Sequence, residues 1–150
     1  MAFRSYYKAM GWSAPRIAGL WLLFCSFSLL AAASVWDGIF TSEQAARGGA
    51  RYRKACASCH GDALDGKGTA PPLTGADFQG NWNGQTLGDL FDKIQTSMPA
   101  DDPGSLKAAE NADILAFVLK ANAFPAGQAE LSGDGDTLKK IRFDAAKPAK

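Results

Sequence analysis

Five residues, Cys56-Ala57-Ser58-Cys59-His60, constrain this chain more than any other stretch of it. Two thiols three positions apart reach a single rigid body, and the imidazole that follows is held beside them, so whatever they bind dictates the surrounding backbone. Three chemistries use such a spacing. One is a dithiol redox couple, which belongs to alternating strands and helices. Another is structural zinc, which needs a fourth ligand. The last is haem c attachment, in which each thiol adds across one vinyl group and the next residue places an imidazole beneath the iron. His60 is the only histidine in the 150 residues, and the third cysteine, Cys25, lies in an apolar N-terminal run. The residues point to one covalent haem c, attached at Cys56 and Cys59 and ligated by His60.

That N-terminal run supports the same reading. Arg4, Lys8 and Arg16 precede an uncharged segment from Ile17 to Ala33 that ends in Ala31-Ala32-Ala33. Basic, apolar and small residues in that order form an export signal. Processing is expected after Ala33 or Ser34, so that residues 1–34 form a signal peptide and the mature chain begins near Val35. Seventeen apolar or small residues are slightly short for a spanning helix, which leaves a retained anchor as the alternative. Either way the domain belongs outside the cytoplasm, in the periplasm, where haem c is assembled. Cys25 leaves with the signal, and no odd thiol remains. The mature part carries 13 basic and 15 acidic residues, a net charge of −2, which argues against nucleic acid as a ligand.

Residues 35–125 read as one helical domain. Thr41-Ser42-Glu43-Gln44 places a capping hydroxyl three residues before a glutamine, and a helix is predicted from there to about Cys56. From Gly61 to Gly84 the pattern dissolves into Gly, Pro, Asp and Asn, which predicts a long ordered loop. Leu87, Leu90, Phe91 and Ile94 share one face of a short helix that must stop before Pro99. A last helix carries Ile114, Leu115, Phe117, Val118 and Leu119, with Asn122 and Pro125 at its exit. No convincing strand is visible. Residues 126–150 read as a polar, partly disordered extension, with Ser132 to Gly135 flexible.

The second axial ligand follows from counting. Met98 is the only methionine beyond the signal, so double-histidine ligation is excluded and Met98 is the candidate on the other face of the iron. A lone methionine filling core space, or an open sixth position, are the competing readings.

These motifs together resemble a class I c-type cytochrome over about Thr41 to Asn122. Gly48, Tyr52, Cys56, Cys59 and His60 follow the family's order of glycine, aromatic and haem site. The resemblance implies a compact all-α fold, its N- and C-terminal helices crossing at Gly48 and Phe117 and its haem wrapped by a long loop and a short helix. Pro71, in Ala70-Pro71-Pro72-Leu73-Thr74-Gly75, is similar to the proline whose carbonyl accepts from the axial histidine, with Pro72 as the alternative. Trp82 resembles the tryptophan that donates to a haem propionate. Ser97-Met98-Pro99-Ala100 and Asp102-Pro103-Gly104-Ser105 look like the methionine loop of the subgroup that accompanies periplasmic quinoprotein dehydrogenases.

The expected function is one-electron transfer between redox proteins by a monomeric carrier, a quinoprotein dehydrogenase being one candidate partner. Leu73, Phe78, Trp82, Leu90, Phe91 and Ile94 should bury the haem. Ala57, Ala63 and Leu64, rimmed by Arg53, Lys54 and Asp62, should form an apolar docking patch. The rivals are a haem enzyme or ligand-binding protein with an open distal site, and a fixed haem subunit of a membrane oxidoreductase.

Overall fold

Residues 33–149 are described by a computed structural model; the expected signal segment up to residue 32 lies outside them. The chain runs β1 (Ala33–Ser34), α1 (Ser42–Ala55), α2 (Ala57–His60), α3 (Gly75–Trp82), α4 (Leu87–Ser97), α5 (Ala108–Ala121), α6 (Gly135–Leu138) and β2 (Ile141–Arg142). It is an all-α domain with two short strands.

Thr41 starts α1 by accepting from the Gln44 amide at 3.0 Å. The reciprocal half of the expected capping box is missing, because the Gln44 carboxamide is buried and bonds both backbone groups of Leu131, at 2.9 and 2.7 Å. In α4 the box is complete: the Asp89 amide donates to the Thr86 hydroxyl at 3.2 Å and the Thr86 amide to the Asp89 carboxylate at 2.9 Å. The Thr86 hydrogen bonds, side chain first, hold the Asp89 carboxyl below its ordinary range.

Helices α1 and α5 form the most extensive pairing of elements. The contact is backbone to backbone at Gly48, where an added Cβ would lie 1.8 Å from the Asp113 carbonyl oxygen. The Gly48–Phe117 crossing expected from the sequence is therefore displaced. The Phe117 ring covers the neighbouring Gly49, and its centroid lies 5.2 Å from that of Tyr52. Asp113 faces Gly48 and Phe117 sits one turn further along α5, so the two contacts are separate. Arg47 and Arg51 of α1 flank the crossing and both bond the largely buried Asp113 carboxylate.

Two expectations are corrected here. The segment Gly61 to Gly84 is not a continuous loop, because α3 occupies its second half. This helix has only Phe78 and Trp82 as an i, i+4 pair, and its first amide is satisfied from afar, Gly75 N–H donating to Asn122 Oδ1 at 3.2 Å. Neither feature is visible locally. Residues 126–149 are also not a disordered tail. Leu131, Leu138 and Phe143 are buried, α6 packs on α4, and β2 pairs in parallel with β1 in the register Ala33 to Ile141 and Ser34 to Arg142. Wide spacing of these apolar residues gives no period to read. Among the described residues no helix is long and apolar enough to cross a membrane.

Candidate functional site

The pentapeptide sits where α1 breaks. The Cys56 amide still bonds the Tyr52 carbonyl at 2.8 Å, then the chain turns through the single-turn α2 and leaves at Gly61 with φ +80°. Tyr52, fully buried, fastens this corner by donating its hydroxyl to the Gly61 carbonyl at 2.6 Å. Burial pushes its phenol up to about 12, with smaller contributions from Cys56, Asp62 and Asp65.

Cys56 and Cys59 form no disulfide; the first is half-buried and the second exposed. Burial, and then the neighbouring Cys59, push the Cys56 thiol up to about 11. The His60 imidazole is nearly buried, and its Nδ1 lies 2.9 Å from the Pro71 carbonyl oxygen. A proline carbonyl only accepts, so Nδ1 carries a proton and donates, and Nε2 is the ring nitrogen left to ligate. Pro71 supplies this acceptor rather than Pro72. The loop that brings Pro71 there is closed by Gly66 N–H to the His60 carbonyl at 2.9 Å and Leu73 N–H to the Leu64 carbonyl at 2.8 Å.

A cavity of about 510 Å³ opens beside these groups. Cys56, Cys59, His60 and Pro71 line it from α1, α2 and the loop. Phe78 and Trp82 line it from α3, Leu90 and Ile94 from α4, and Ile114 and Val118 from α5; Met98 and Pro99 follow α4 into it. Met98 caps α4 in extended backbone, its amide on the Ile94 carbonyl at 3.1 Å. All six sequence-chosen site residues, Cys56, Cys59, His60, Pro71, Trp82 and Met98, are thus brought to one cavity. Among the described residues no three His, Cys, Asp or Glu side chains converge as a metal cage requires.

Phe91 does not line the cavity, although it was expected to bury the haem; it is buried on another side of α4, near Gly135. The expected docking patch is absent as well, since Ala57 and Leu64 are buried and only Ala63 is exposed. The exposed residues that line the cavity are instead Ser58, Cys59, Thr69, Pro71, Ala100 and Asp101, together with Asn81, Gln85 and Lys93. Sequence reasoning missed those last three, and also Ile114 and Val118 as cavity residues. Val118 stands four residues beyond Ile114 on α5, a spacing that marks a shared face. Nothing local marks Asn81 or Gln85.

Two thiols and a proton-fixed imidazole on an apolar cavity that also receives a methionine define, in this helical setting, a mono-haem class I c-type cytochrome. Residues 43–118 match the family described as cytochrome C oxidase, cbb3-type, subunit III; this is just over half of the chain, and the chain belongs to that family. A cytochrome c of this kind carries covalent haem c and transfers electrons. No curated protein sequence matches the chain. Among solved structures it is similar to the sulfane dehydrogenase SoxCD from Paracoccus pantotrophus, at 22% identity and a TM-score of 0.48, over 72% of this chain and 61% of that one.

Proposed function

We propose that this protein is an exported, periplasmic one-electron carrier in which Cys56 and Cys59 would hold haem c through thioethers and His60 and Met98 would ligate its iron. The observation that carries this reading is the His60–Pro71 hydrogen bond beside the two thiols, which leaves only Nε2 free to ligate on a cavity that Met98 also lines. Bound haem supplies an iron that alternates between ferric and ferrous. The chain does the rest. Pro71 keeps the His60 ring oriented and raises its basicity. Met98, a soft thioether, favours the ferrous state and raises the potential above that of a two-imidazole site. Phe78, Leu90, Ile94, Ile114 and Val118 keep water from the cavity, and a low dielectric opposes the extra positive charge of the ferric form. Trp82, with Asn81, Gln85 and Lys93 on the same cavity, offers donors to the propionates. The exposed group of Cys59, Thr69, Pro71 and Ala100 is the edge at which a redox protein docks, and the Met98 loop favours a quinoprotein dehydrogenase as donor.

The family's description as an oxidase subunit supports a second reading, in which the same haem domain is fixed in a membrane complex. An open-site haem enzyme is supported less, because among the described residues the cavity is lined by no arginine and by no histidine other than His60.

The test is a visible spectrum of the reduced holoprotein together with its intact mass and acid-acetone extraction. A six-coordinate low-spin spectrum, one haem of added mass and no extractable haem are expected. Extractable haem overturns the attachment, and a high-spin spectrum overturns Met98 ligation. Recovery solely in a detergent-stable membrane complex favours the fixed subunit.

A further inference from the structure

Asp144, near the C-terminus, is buried where separate segments meet. Its Oδ2 accepts from the Ser34 hydroxyl at 2.7 Å, its Oδ1 from Arg142 Nη2 at 2.6 Å, and its carbonyl from the Trp36 indole at 2.8 Å. On the other side of Ser34, its backbone nitrogen lies 2.7 Å from the Asp37 carboxylate. The strap that bears Asp144 continues to the cavity. Gly84 N–H donates to the Phe143 carbonyl and Phe143 N–H to the Gln85 carbonyl, both at 2.9 Å, and Ala145 N–H donates to Asn83 Oδ1 at 2.9 Å. Trp82 and Gln85, at the two ends of this segment, line the cavity.

Small residues at 31–34 allow processing after Ala33 or after Ser34, and the two products differ. Removing Ser34 leaves Asp144 Oδ2 buried without its donor. It also puts a new ammonium on Val35, whose side chain is fully buried and whose N–H already serves the Arg142 carbonyl at 3.0 Å. Removing Ala33 costs an exposed residue and its pairing with Ile141 at the end of β1, leaves Ser34 paired with Arg142, and puts the ammonium on the nitrogen that already faces Asp37.

We propose that a signal peptidase hydrolyses the Ala33–Ser34 bond, and that the freed Ser34 amine on Asp37, with the Ser34 hydroxyl on Asp144, clasps the C-terminal strap against the Trp82–Gln85 wall of the haem cavity. Water adds across the amide, so Ala33 leaves as a carboxylate and Ser34 becomes an ammonium that forms an ion pair with Asp37. The clasp ties export processing to the shape of the cavity, and it rests on the reading of residues 1–34 as an export signal.

The full chain, matured with haem in a Gram-negative host, is analysed by intact mass and N-terminal sequencing. A first residue of Ser34 is expected. Val35, or any other new N-terminus, overturns the processing site while leaving the cleaved-signal reading intact; Met1 retained overturns cleavage itself and leaves the retained anchor. The clasp is then read by amide hydrogen exchange in Ser34→Ala and Asp144→Asn holoproteins. Loss of a hydrogen bond to a charged, buried partner should speed exchange at Gly84 and Phe143 by about tenfold or more, with amides at the α1–α5 crossing unchanged. Unaltered exchange at Gly84 and Phe143 in Ser34→Ala, which deletes only one hydroxyl, overturns the clasp even where Asp144→Asn does not fold.

Discussion

At the scale of single residues, the chemistry depends on two side chains whose partners are unusual. Met98 stands at the end of α4 with its side chain on the cavity. Met98→Ala is expected to abolish the near-infrared sulfur-to-iron band, lower the potential and create affinity for carbon monoxide in the reduced protein, with both thioethers intact. An unchanged band, potential and gas affinity would make Met98 an ordinary core residue. Tyr52 is a fastener. Tyr52→Phe leaves the buried Gly61 carbonyl with the Leu64 amide, at 3.2 Å, as its remaining donor, and a loss of about 0.5–1.5 kcal/mol is expected in chemical denaturation. The phenol also sets an alkaline limit. Its folded value of about 12 lies above the unfolded value of about 10, so folding favours the protonated form. That contribution is complete below pH ~10 and is lost as pH rises toward 12. Tyr52→Phe should be less sensitive over that window, as measured by denaturation midpoints at each pH.

Among elements, the α1–α5 crossing decides whether Cys56 is delivered to the cavity at all, because α1 ends there and α5 supplies Ile114 and Val118. Gly48 and Gly49 are adjacent in sequence but not equivalent. A methyl at 48 meets the fixed Asp113 backbone at 1.8 Å, whereas one at 49 meets the Phe117 ring at 3.1 Å, and that ring is only partly buried. Gly48→Ala should cost roughly 3 kcal/mol or more by forcing the helices apart. Gly49→Ala should be near neutral, since better helix propensity, worth up to about 1 kcal/mol, offsets a small ring displacement. Thermal denaturation of the two holoproteins separates them. Equal losses would mean that the crossing does not rest on Gly48.

For the whole molecule, the strap of residues 126–149 turns a minimal helical domain into a closed one. Leu131, Leu138 and Phe143 are buried, and the Phe143 ring joins Phe78 and Phe124 with centroids 6.1 and 5.3 Å away. Burial of each such side chain contributes roughly 1.5–3 kcal/mol, so removing all three approaches the ~5–15 kcal/mol stability of an ordinary domain. A chain ended at Gly127 is therefore expected to fail to fold or to lose most of its denaturation midpoint. A truncated holoprotein with an unchanged midpoint would show the strap to be an ornament.

The sequence by itself determined the chemistry that is covalent and local. The thiol spacing, the single histidine, the lone methionine after α4 and the Thr-initiated starts of α1 and α4 are set by residues within a few positions of one another, where backbone geometry leaves few choices. Tertiary structure decided whatever depended on a remote partner. Pro71 rather than Pro72 meets His60 because loop closure at Gly66 and Leu73 sets the approach. Asp113, and not Phe117, meets Gly48. The first amide of α3 is met by Asn122 from 47 positions away, and Gln44 abandons its capping box for Leu131. The strap was illegible for the same reason. Its buried residues are spaced too widely for any period, and the free energy that orders them comes from surfaces of α4, β1 and the aromatic core that no window along residues 126–149 contains.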